Sequence, residues 1–178
     1  MRLKNVGLNF RGKYKILNGQ SFYGQILDLP DTSRVSNFLS ARRYLRVHPD
    51  TPVTAGMVVV IDRKKYIVAD HGTGFLRDPI YQHFKLFQVD LELEHFTKTE
   101  SKNPVTGVME KDPKASQGMV YVSVQPKSTM SDSIKIQTPQ HVLVTNVELK
   151  VDDLLGDDWI VIKSDPVLGV HVVEVKEG

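Results

Sequence analysis

Cysteine and long apolar runs are both missing from the sequence, and each absence excludes a class of protein. None of the 178 residues is a cysteine, which excludes a disulfide framework, a thiolate zinc site and a cysteine nucleophile. The longest wholly apolar run covers residues 57–61, whereas a membrane-spanning helix needs about 20 such residues. The first ten residues include basic side chains but no apolar core of signal-peptide length. The sequence therefore predicts neither a membrane span nor an export signal.

Catalytic motifs are lacking as well. The sequence has no G-x-S-x-G nucleophile elbow, no phosphate-binding loop, no G-x-G-x-x-G fingerprint and no H-E-x-x-H zinc motif. The stretch nearest to a catalytic site is Asp70-His-Gly-Thr-Gly74, in which a carboxylate precedes a candidate general base. Because a turn after a strand also favours Asp and Gly, we interpret this stretch as a turn. We therefore expect no enzymatic activity and no catalytic residue.

Metal and cofactor sites are not predicted either. Asp152 with Asp153, and Asp157 with Asp158, lack the alternating oxygen ligands of a calcium loop, so both pairs are predicted to lie in solvated turns. The histidines are scattered, with no two at metal-ligand spacing on one predicted element. They are His48, His71, His83, His95, His141 and His171.

Charge is unevenly distributed along the chain. The net charge is +2, yet residues 1–50 hold nine Lys or Arg against three Asp, and residues 140–178 hold three Lys against eight acids. This gradient has three interpretations. The two ends form ordinary solvated surfaces, or the basic end meets phosphates or an acidic partner, or the basic surface of one copy faces the acidic surface of the next.

Alternation with a period of two dominates the sequence and predicts a mainly β protein. Apolar and polar residues alternate over residues 87–94, which predicts one strand with a wet, acidic face. Residues 57–61 and 66–69 flank a polar turn at residues 62–65 and predict a hairpin. The other predicted strands are residues 21–27, 119–124, 133–137, 142–148, 159–163 and 170–175. About nine short strands at this spacing favour an antiparallel β-barrel or sandwich.

One short helix is predicted after Ser33, which has a residue type that caps helices. Apolar residues at 35, 38, 39 and 45 approximate helical spacing, and three arginines lie near the C-terminal end, where the helix dipole favours cations. The alternative is an extended segment ending at residues 44–47. Helix is favoured.

Residues 97–117 form an unusually long stretch with few apolar side chains. A turn is predicted at residues 103–107, so the stretch is a flexible loop, a hairpin arm that prolongs its flanking strands, or an arm that orders against a partner. The predicted organisation is a basic N-terminal arm at 1–20 and a single barrel-like domain at 21–178, from which 97–117 projects. The arm's lysines are Lys98, Lys102, Lys111 and Lys114.

A second basic group makes a small nucleic-acid-binding or ligand-binding barrel the alternative function. Clustered cations suffice for phosphate binding, because counterion release supplies affinity without sequence preference. The candidates for this basic patch are Arg42, Arg43, Arg46, Arg63, Lys64 and Lys65.

Residues 52–69, PVTAGMVVVIDRKKYIVA, resemble a signature of the head-closure (stopper) family of head–tail joining proteins in tailed phages. In that family a glycine, a strand, a polar turn and a tyrosine-bearing strand form a hairpin of a small β-barrel. The matching residues here are Gly56, Val58, Val60, Asp62, Tyr66 and Val68. Residues 125–178 have no counterpart in the compact members of the family.

The resemblance implies a structural virion protein of the phage neck. Such a protein would assemble in the host cytoplasm into a homo-oligomeric head–tail connector ring of six or twelve copies between the portal or adaptor and the tail. It would retain packaged double-stranded DNA without sequence preference, with 97–117 as the gate and its four lysines on phosphates. The wet acidic face of residues 88–94 would alternatively line the channel. Other phage roles left open are a capsid decoration subunit and a baseplate subunit.

Overall fold

In the computed structural model, every regular element among the described residues is a β-strand, and these strands pair antiparallel. The structure describes residues 12–28, 43–71, 81–97, 100–102, 105–106, 109–111, 115–125 and 141–178. Fourteen strands lie in these ranges: β1 Gly12–Ile16, β2 Ser21–Asp28, β3 Arg43–Val47, β4 Val58–Ile61, β5 Lys64–Asp70, β6 Gln82–Gln88, β7 Leu91–Thr97, β8 Glu100–Lys102, β9 Met109–Lys111, β10 Ala115–Gln125, β11 His141–Thr145, β12 Leu154–Leu155, β13 Trp159–Val167 and β14 Val170–Glu177.

The first six strands close into a barrel in the order β1-β2-β3-β6-β5-β4, which we call the first barrel. Alternate residues of each strand point inward, as the two-residue period predicted. On β5, for example, Tyr66 and Val68 lie inside among Phe22, Leu45 and Phe84. Pairing of Ile16 with Val59 on β4 closes the barrel.

The second barrel contains β7 and β10 to β14, in the order β10-β11-β14-β13-β12-β7. Its interior is filled by Val120, Val122, Leu143, Leu155 and Val173, all nearly inaccessible to solvent. The antiparallel barrel prediction is therefore confirmed, and the described chain forms two closed barrels where one barrel or sandwich was expected.

A third apolar cluster lies between the barrels. Ile67 and Ala69 point outward from β5 and pack with Val144 and Val172 of the second barrel. The wall of β4 and β5 is thus covered on both sides, which explains why residues 57–61 are wholly apolar rather than alternating.

The backbones approach closely at one edge of this contact. Gly169 has φ +74°, and a Cβ there would collide with the Cβ of Ala55. Gly56 has φ +84°, and a Cβ there would lie 3.3 Å from the carbonyl oxygen of Gly169. Glycine at both positions therefore permits this contact between the barrels.

The single strand predicted over residues 87–94 is wrong: β6 ends at Gln88 and β7 begins at Leu91. The chain crosses from the first barrel to the second at Val89 and Asp90, where the backbone N–H of Val89 donates to Lys65 and that of Asp90 to Val122. Apolar alternation continues across this crossing because Phe87 packs between the barrels and Leu93 packs against the core of the second barrel.

The hairpin predicted around residues 57–69 is confirmed, with a shorter turn. Asp62 and Arg63 both have positive φ, at 49° and 66°, as a two-residue type I′ turn requires. Lys64 and Lys65 therefore belong to β5 and pair with Ile61 and Val60.

Several other predictions meet the structure only in part. Arg43–Val47 is a strand, so the helix prediction is wrong there, and the rest of the predicted helix lies outside the described residues. Strand pairing explains why these residues are extended rather than helical, since β3 pairs with β2 on one side and with β6 on the other. Residues 133–137 also lie outside the described ranges. Gly12–Ile16, within the predicted N-terminal arm, is a barrel strand.

Weakening the apolar contact between the two barrels should destabilise the whole molecule. Ile67→Ala removes a side chain with 0% exposure from the contact between the barrels and is expected to lower the free energy of unfolding by about 3 kcal/mol. Val60→Ala, on a half-buried outward position of β4, is the control and should cost less than about 1 kcal/mol. Urea unfolding measures both. Two separate transitions, of which only one shifts in Ile67→Ala, would contradict coupling of the barrels.

Candidate functional site

The two barrels carry opposite charge. Among the described residues, the first barrel has eight Lys or Arg and four acids, whereas residues 89–97, 115–125 and 141–178 have three Lys and eleven acids. The gradient seen along the sequence is thus a separation between two packed bodies, which orients the molecule in an electric field or against a charged partner.

A hairpin arm extends from the second barrel. β7 and β10 pair from Leu91 with Val122 to Thr97 with Ala115, and β8 and β9 form a further two-stranded sheet between them in sequence. At the turn, Val105 is 90% exposed. The described parts of residues 97–117 contain this antiparallel two-stranded sheet, and the three interpretations of the stretch stay predictions.

The arm's lysines are placed in part. In the β8–β9 ladder Lys102 pairs with Met109, and Lys111 pairs with Glu100. Lys98 and Lys114 lie outside the described residues.

The root of the arm is held by ionic contacts. Glu92 accepts two hydrogen bonds from Lys65 Nζ at 2.8 and 2.7 Å, and this Nζ lies 5.0 Å from the centre of the Tyr121 ring. The hydrogen bond that Lys65 donates to Glu92 is the main cause of the raised pKa of Lys65. The Asp90 carboxylate accepts from the backbone N–H of Val124 at 2.8 Å. Part of the predicted wet acidic face is therefore engaged in fixing β7 against its neighbours.

The predicted basic patch is divided by the structure. Arg43 lies at one end of the first barrel, where Nε donates to Asp28 at 2.9 Å and Nη1 to the Tyr66 hydroxyl at 2.8 Å. Arg46, three residues later on β3, points outward and lies 4.2 Å from the centre of the Tyr81 ring. Strand alternation causes this separation, because positions 43 and 46 face opposite sides.

The other members of the patch lie apart from Arg46. Arg63 and Lys64 are exposed at the β4–β5 turn, Lys65 is paired with Glu92, and Arg42 is outside the described residues. Beside Arg43, burial raises the pKa of the Tyr14 hydroxyl and Asp62 raises it further, against the opposing effect of Arg43.

Asp70 is the last residue of β5, and His71 follows it. The backbone N–H of Asp70 donates to Leu168 in the second barrel. The His71 ring lies 5.2 Å from that of Tyr44 and 6.3 Å from that of His83. The remainder of the predicted turn, residues 72–74, lies outside the described residues.

A buried histidine–carboxylate pair was missed by sequence reasoning. His95 Nε2 lies 2.8 Å from the Asp153 carboxylate, which also accepts the backbone N–H of Lys150 at 2.7 Å. Asp153 is 5% exposed, so the solvated turn predicted for it is wrong. The two residues are 58 positions apart, and no local motif signals their contact. Since the carboxylate closes a turn against β7, the pair positions the root of the arm.

Within the described ranges, no group of three or more His, Asp or Glu residues has the geometry to hold a metal ion. The same ranges contain no helix long and apolar enough to cross a bilayer. Comparison of the chain with protein-family models, curated proteins and solved structures finds no match.

Arg43 is expected to stabilise the barrel end. Arg43→Met leaves the hydroxyl of Tyr66, a residue only 2% exposed, without its guanidinium donor and should lower the free energy of unfolding by about 2 kcal/mol. Lys64→Met, at the exposed turn, should change it by less than about 0.5 kcal/mol. Chemical denaturation measures both variants.

The double variant isolates the hydrogen bond. Adding Tyr66→Phe to Arg43→Met removes the unsatisfied hydroxyl and should recover roughly half of the loss. No recovery in the double variant would show that Arg43 acts through Asp28 or packing alone.

Proposed function

We propose that the chain is a structural subunit of the neck of a tailed phage, forming a ring between the portal or its adaptor and the tail. In this role it retains the packaged double-stranded DNA and presents the surface to which the tail attaches. The observation that carries the proposal is the hairpin arm, in which the separate two-stranded sheet of β8 and β9 lies in sequence between β7 and β10 of a closed barrel.

The residues that resemble the stopper signature support the proposal by their structural roles. Gly56 takes φ +84° and Asp62 takes φ 49°, so both serve backbone conformations rather than side-chain chemistry. Tyr66 and Val68 fill the interior of the first barrel. The motif therefore builds a hairpin inside a small closed barrel, which is the context that the resemblance implies.

Closure of both barrels also suits a ring subunit. A closed barrel has no unpaired strand edge, so its neighbours cannot add strands to it. Contacts between copies must then use side-chain surfaces or the arm, and such surfaces can be shaped to close a ring of defined size. The ring would contain six or twelve copies.

The arm supplies the chemistry for holding DNA. Lys102 and Lys111 belong to the β8–β9 ladder, and with Lys98 and Lys114 they give the arm four lysines. Several arms converging on a channel would contact DNA phosphates without reading sequence. The fixed root, with Lys65 bound to Glu92, keeps the arms at a constant position.

Residues 125–178, which have no counterpart in compact stopper proteins, contribute strands to the second barrel. Their described part, 141–178, forms β11 to β14, which complete the second barrel. The portion without a counterpart in compact stopper proteins therefore completes the barrel whose strands β7 and β10 flank the arm, and it enlarges the surface for the neighbouring neck layers.

Association with virions tests the proposal. Native source material is sedimented through a density gradient and the chain is quantified by mass spectrometry. We expect six or twelve copies per capsid-sized particle, with the major capsid protein as the internal standard. Hundreds of copies would indicate a decoration subunit, copies confined to isolated tails would indicate a baseplate subunit, and recovery at the top of the gradient would contradict the virion assignment.

Neutral arms should fail to hold DNA. Particles assembled with the combined Lys98→Gln, Lys102→Gln, Lys111→Gln and Lys114→Gln variant should contain the protein at normal copy number but lose DNA at lower salt than wild type. The matched control is Lys150→Gln with Lys176→Gln, which removes cations from the second barrel outside the arm. DNA per particle is measured as salt is raised. Equal retention of DNA by the arm variant and the wild type would contradict the proposed contact between the arm's lysines and DNA.

A further inference from the structure

Each barrel has an apolar core of its own, separate from the contact between the barrels. Among the described residues, the core of the first barrel contains ten buried side chains, all from residues 22–86, and the core of the second contains eight, all from residues 120–175. In the same part of the chain, the contact buries four side chains of the first barrel and three of the second. Separation of the barrels therefore breaks neither core, and motion between domains is expected where their interface is small.

The covalent connection between the barrels is short. The chain passes from the strands of the first barrel to those of the second once, between β6 and β7. The backbone N–H of Val89 donates to the carbonyl of Lys65 in the first barrel, and that of Asp90 donates to the carbonyl of Val122 in the second, each at 2.9 Å. Backbone rotation between these two residues can change the angle between the barrels without breaking a strand ladder.

Polar contacts close the edges of the apolar contact. At the start of β7, Lys65 Nζ lies 2.7 Å from Glu92 Oε2, and the two side chains are 31% and 43% exposed. At the end of β5, the backbone N–H of Asp70 donates to the carbonyl of Leu168 at 2.8 Å. An exposed ion pair contributes little to stability, and a hydrogen bond at the edge can be exchanged for one to water. These edges therefore resist separation only weakly.

The β13–β14 turn brings a strained residue into the contact. Leu168 and Gly169 have φ values of 52° and 74°, as in a two-residue turn of the type that favours Asn-Gly. Leucine disfavours this left-handed conformation, yet its side chain packs against the apolar cluster between the barrels. Strained backbone that surrounding contacts hold in place is typical of segments that switch. Separation of the barrels removes the packing that holds Leu168.

We propose that the folded chain opens at the contact between the barrels, with Val89 and Asp90 as the hinge and with both barrels remaining closed. In the open state the β13–β14 turn leaves Ala55, and the apolar cluster becomes accessible to solvent. This state is a minor population, because the closed state buries the apolar cluster. Strands of the second barrel flank the arm, so opening moves the arm relative to the first barrel. The opening goes beyond the proposed neck role, in which it would let the arms change position without unfolding.

Thiol labelling at matched positions tests the opening, since the chain has no cysteine of its own. Ala69→Cys places a thiol in the contact, Val68→Cys places one inside the first barrel, and both positions have 0% exposure. Val144→Cys and Leu143→Cys form the same pair of positions in the second barrel. We expect a maleimide to react at least about tenfold faster at positions 69 and 144 than at 68 and 143.

Denaturant and core stability separate opening from unfolding. Opening exposes less surface than unfolding, so labelling at positions 69 and 144 should rise less steeply with urea. Val161→Ala weakens the core of the second barrel and should speed labelling at 143 by about tenfold while leaving 144 unchanged. Urea unfolding of each cysteine variant corrects the rates for global stability. If one interior variant fails to fold, the pair in the other barrel still gives the comparison.

Equal corrected rates at contact and interior positions would overturn the opening. The same conclusion would follow if Val161→Ala accelerated labelling at positions 143 and 144 alike, because both thiols would then react only in the unfolded chain.

Two glycine variants test whether the β13–β14 turn closes the contact. A Cβ at Gly169 would collide with Ala55, whereas a Cβ at Gly118 would meet nothing within 4 Å, although φ is positive at both positions. Gly169→Ala should therefore speed labelling at positions 69 and 144 at least about tenfold. Gly118→Ala strains the second barrel in both the closed and the open state and should leave these rates unchanged. Equal effects of the two variants would overturn the proposed opening at this turn.

The labelling result is independent of the virion test. Faster labelling at the contact, in a chain that is absent from virions, would support the opening and contradict the neck role. Equal labelling in a chain that is incorporated into virions would overturn the opening and leave the neck role standing.

Discussion

The apolar wall that the two barrels share determines where every other surface of the molecule lies. Ile67 and Ala69 on one side and Val144 and Val172 on the other exclude water from this contact, and burying them is the main source of its stability. Because β4 and β5 are covered on both sides, most of their outward side chains are withdrawn from solvent. The start of β7 lies against the first barrel through the Lys65–Glu92 ion pair.

Polar contacts then fix the direction of the arm. The chain crosses between barrels at Val89 and Asp90, and β7 starts within a few residues of the Lys65–Glu92 ion pair. His95 and Asp153 hold the other half of β7 against a turn, in a buried pair whose carboxylate also accepts a backbone N–H. An unpaired carboxylate would be costly at that depth, so this root has one well-defined arrangement. A two-stranded hairpin needs such a root, since it gains little stability from its own contacts.

Local patterns predicted some features of the fold and the candidate site but not others. Alternation identified the strands on both sides of residues 62–63. It failed at Val89, where apolar spacing continues although the strand ends, because residues on either side serve different clusters. The clustering of cations in the sequence also grouped Arg43 with Arg46, although strand geometry places these two side chains on opposite faces of β3. The contact of His95 with Asp153 has no local signal at all.

The sequence by itself determined the β class, the alternation of inward and outward positions, the β4–β5 hairpin and the separation of basic from acidic segments. Each of these depends on neighbours within a few residues, since strand geometry repeats every two residues and a type I′ turn needs only two. Tertiary structure alone decided that the strands close into two barrels, that β4 and β5 are covered twice, and which lysines are paired. Those outcomes depend on contacts between residues far apart in the chain, such as Lys65 with Glu92. Apolar burial selects these contacts by total area and shape, which no short pattern encodes.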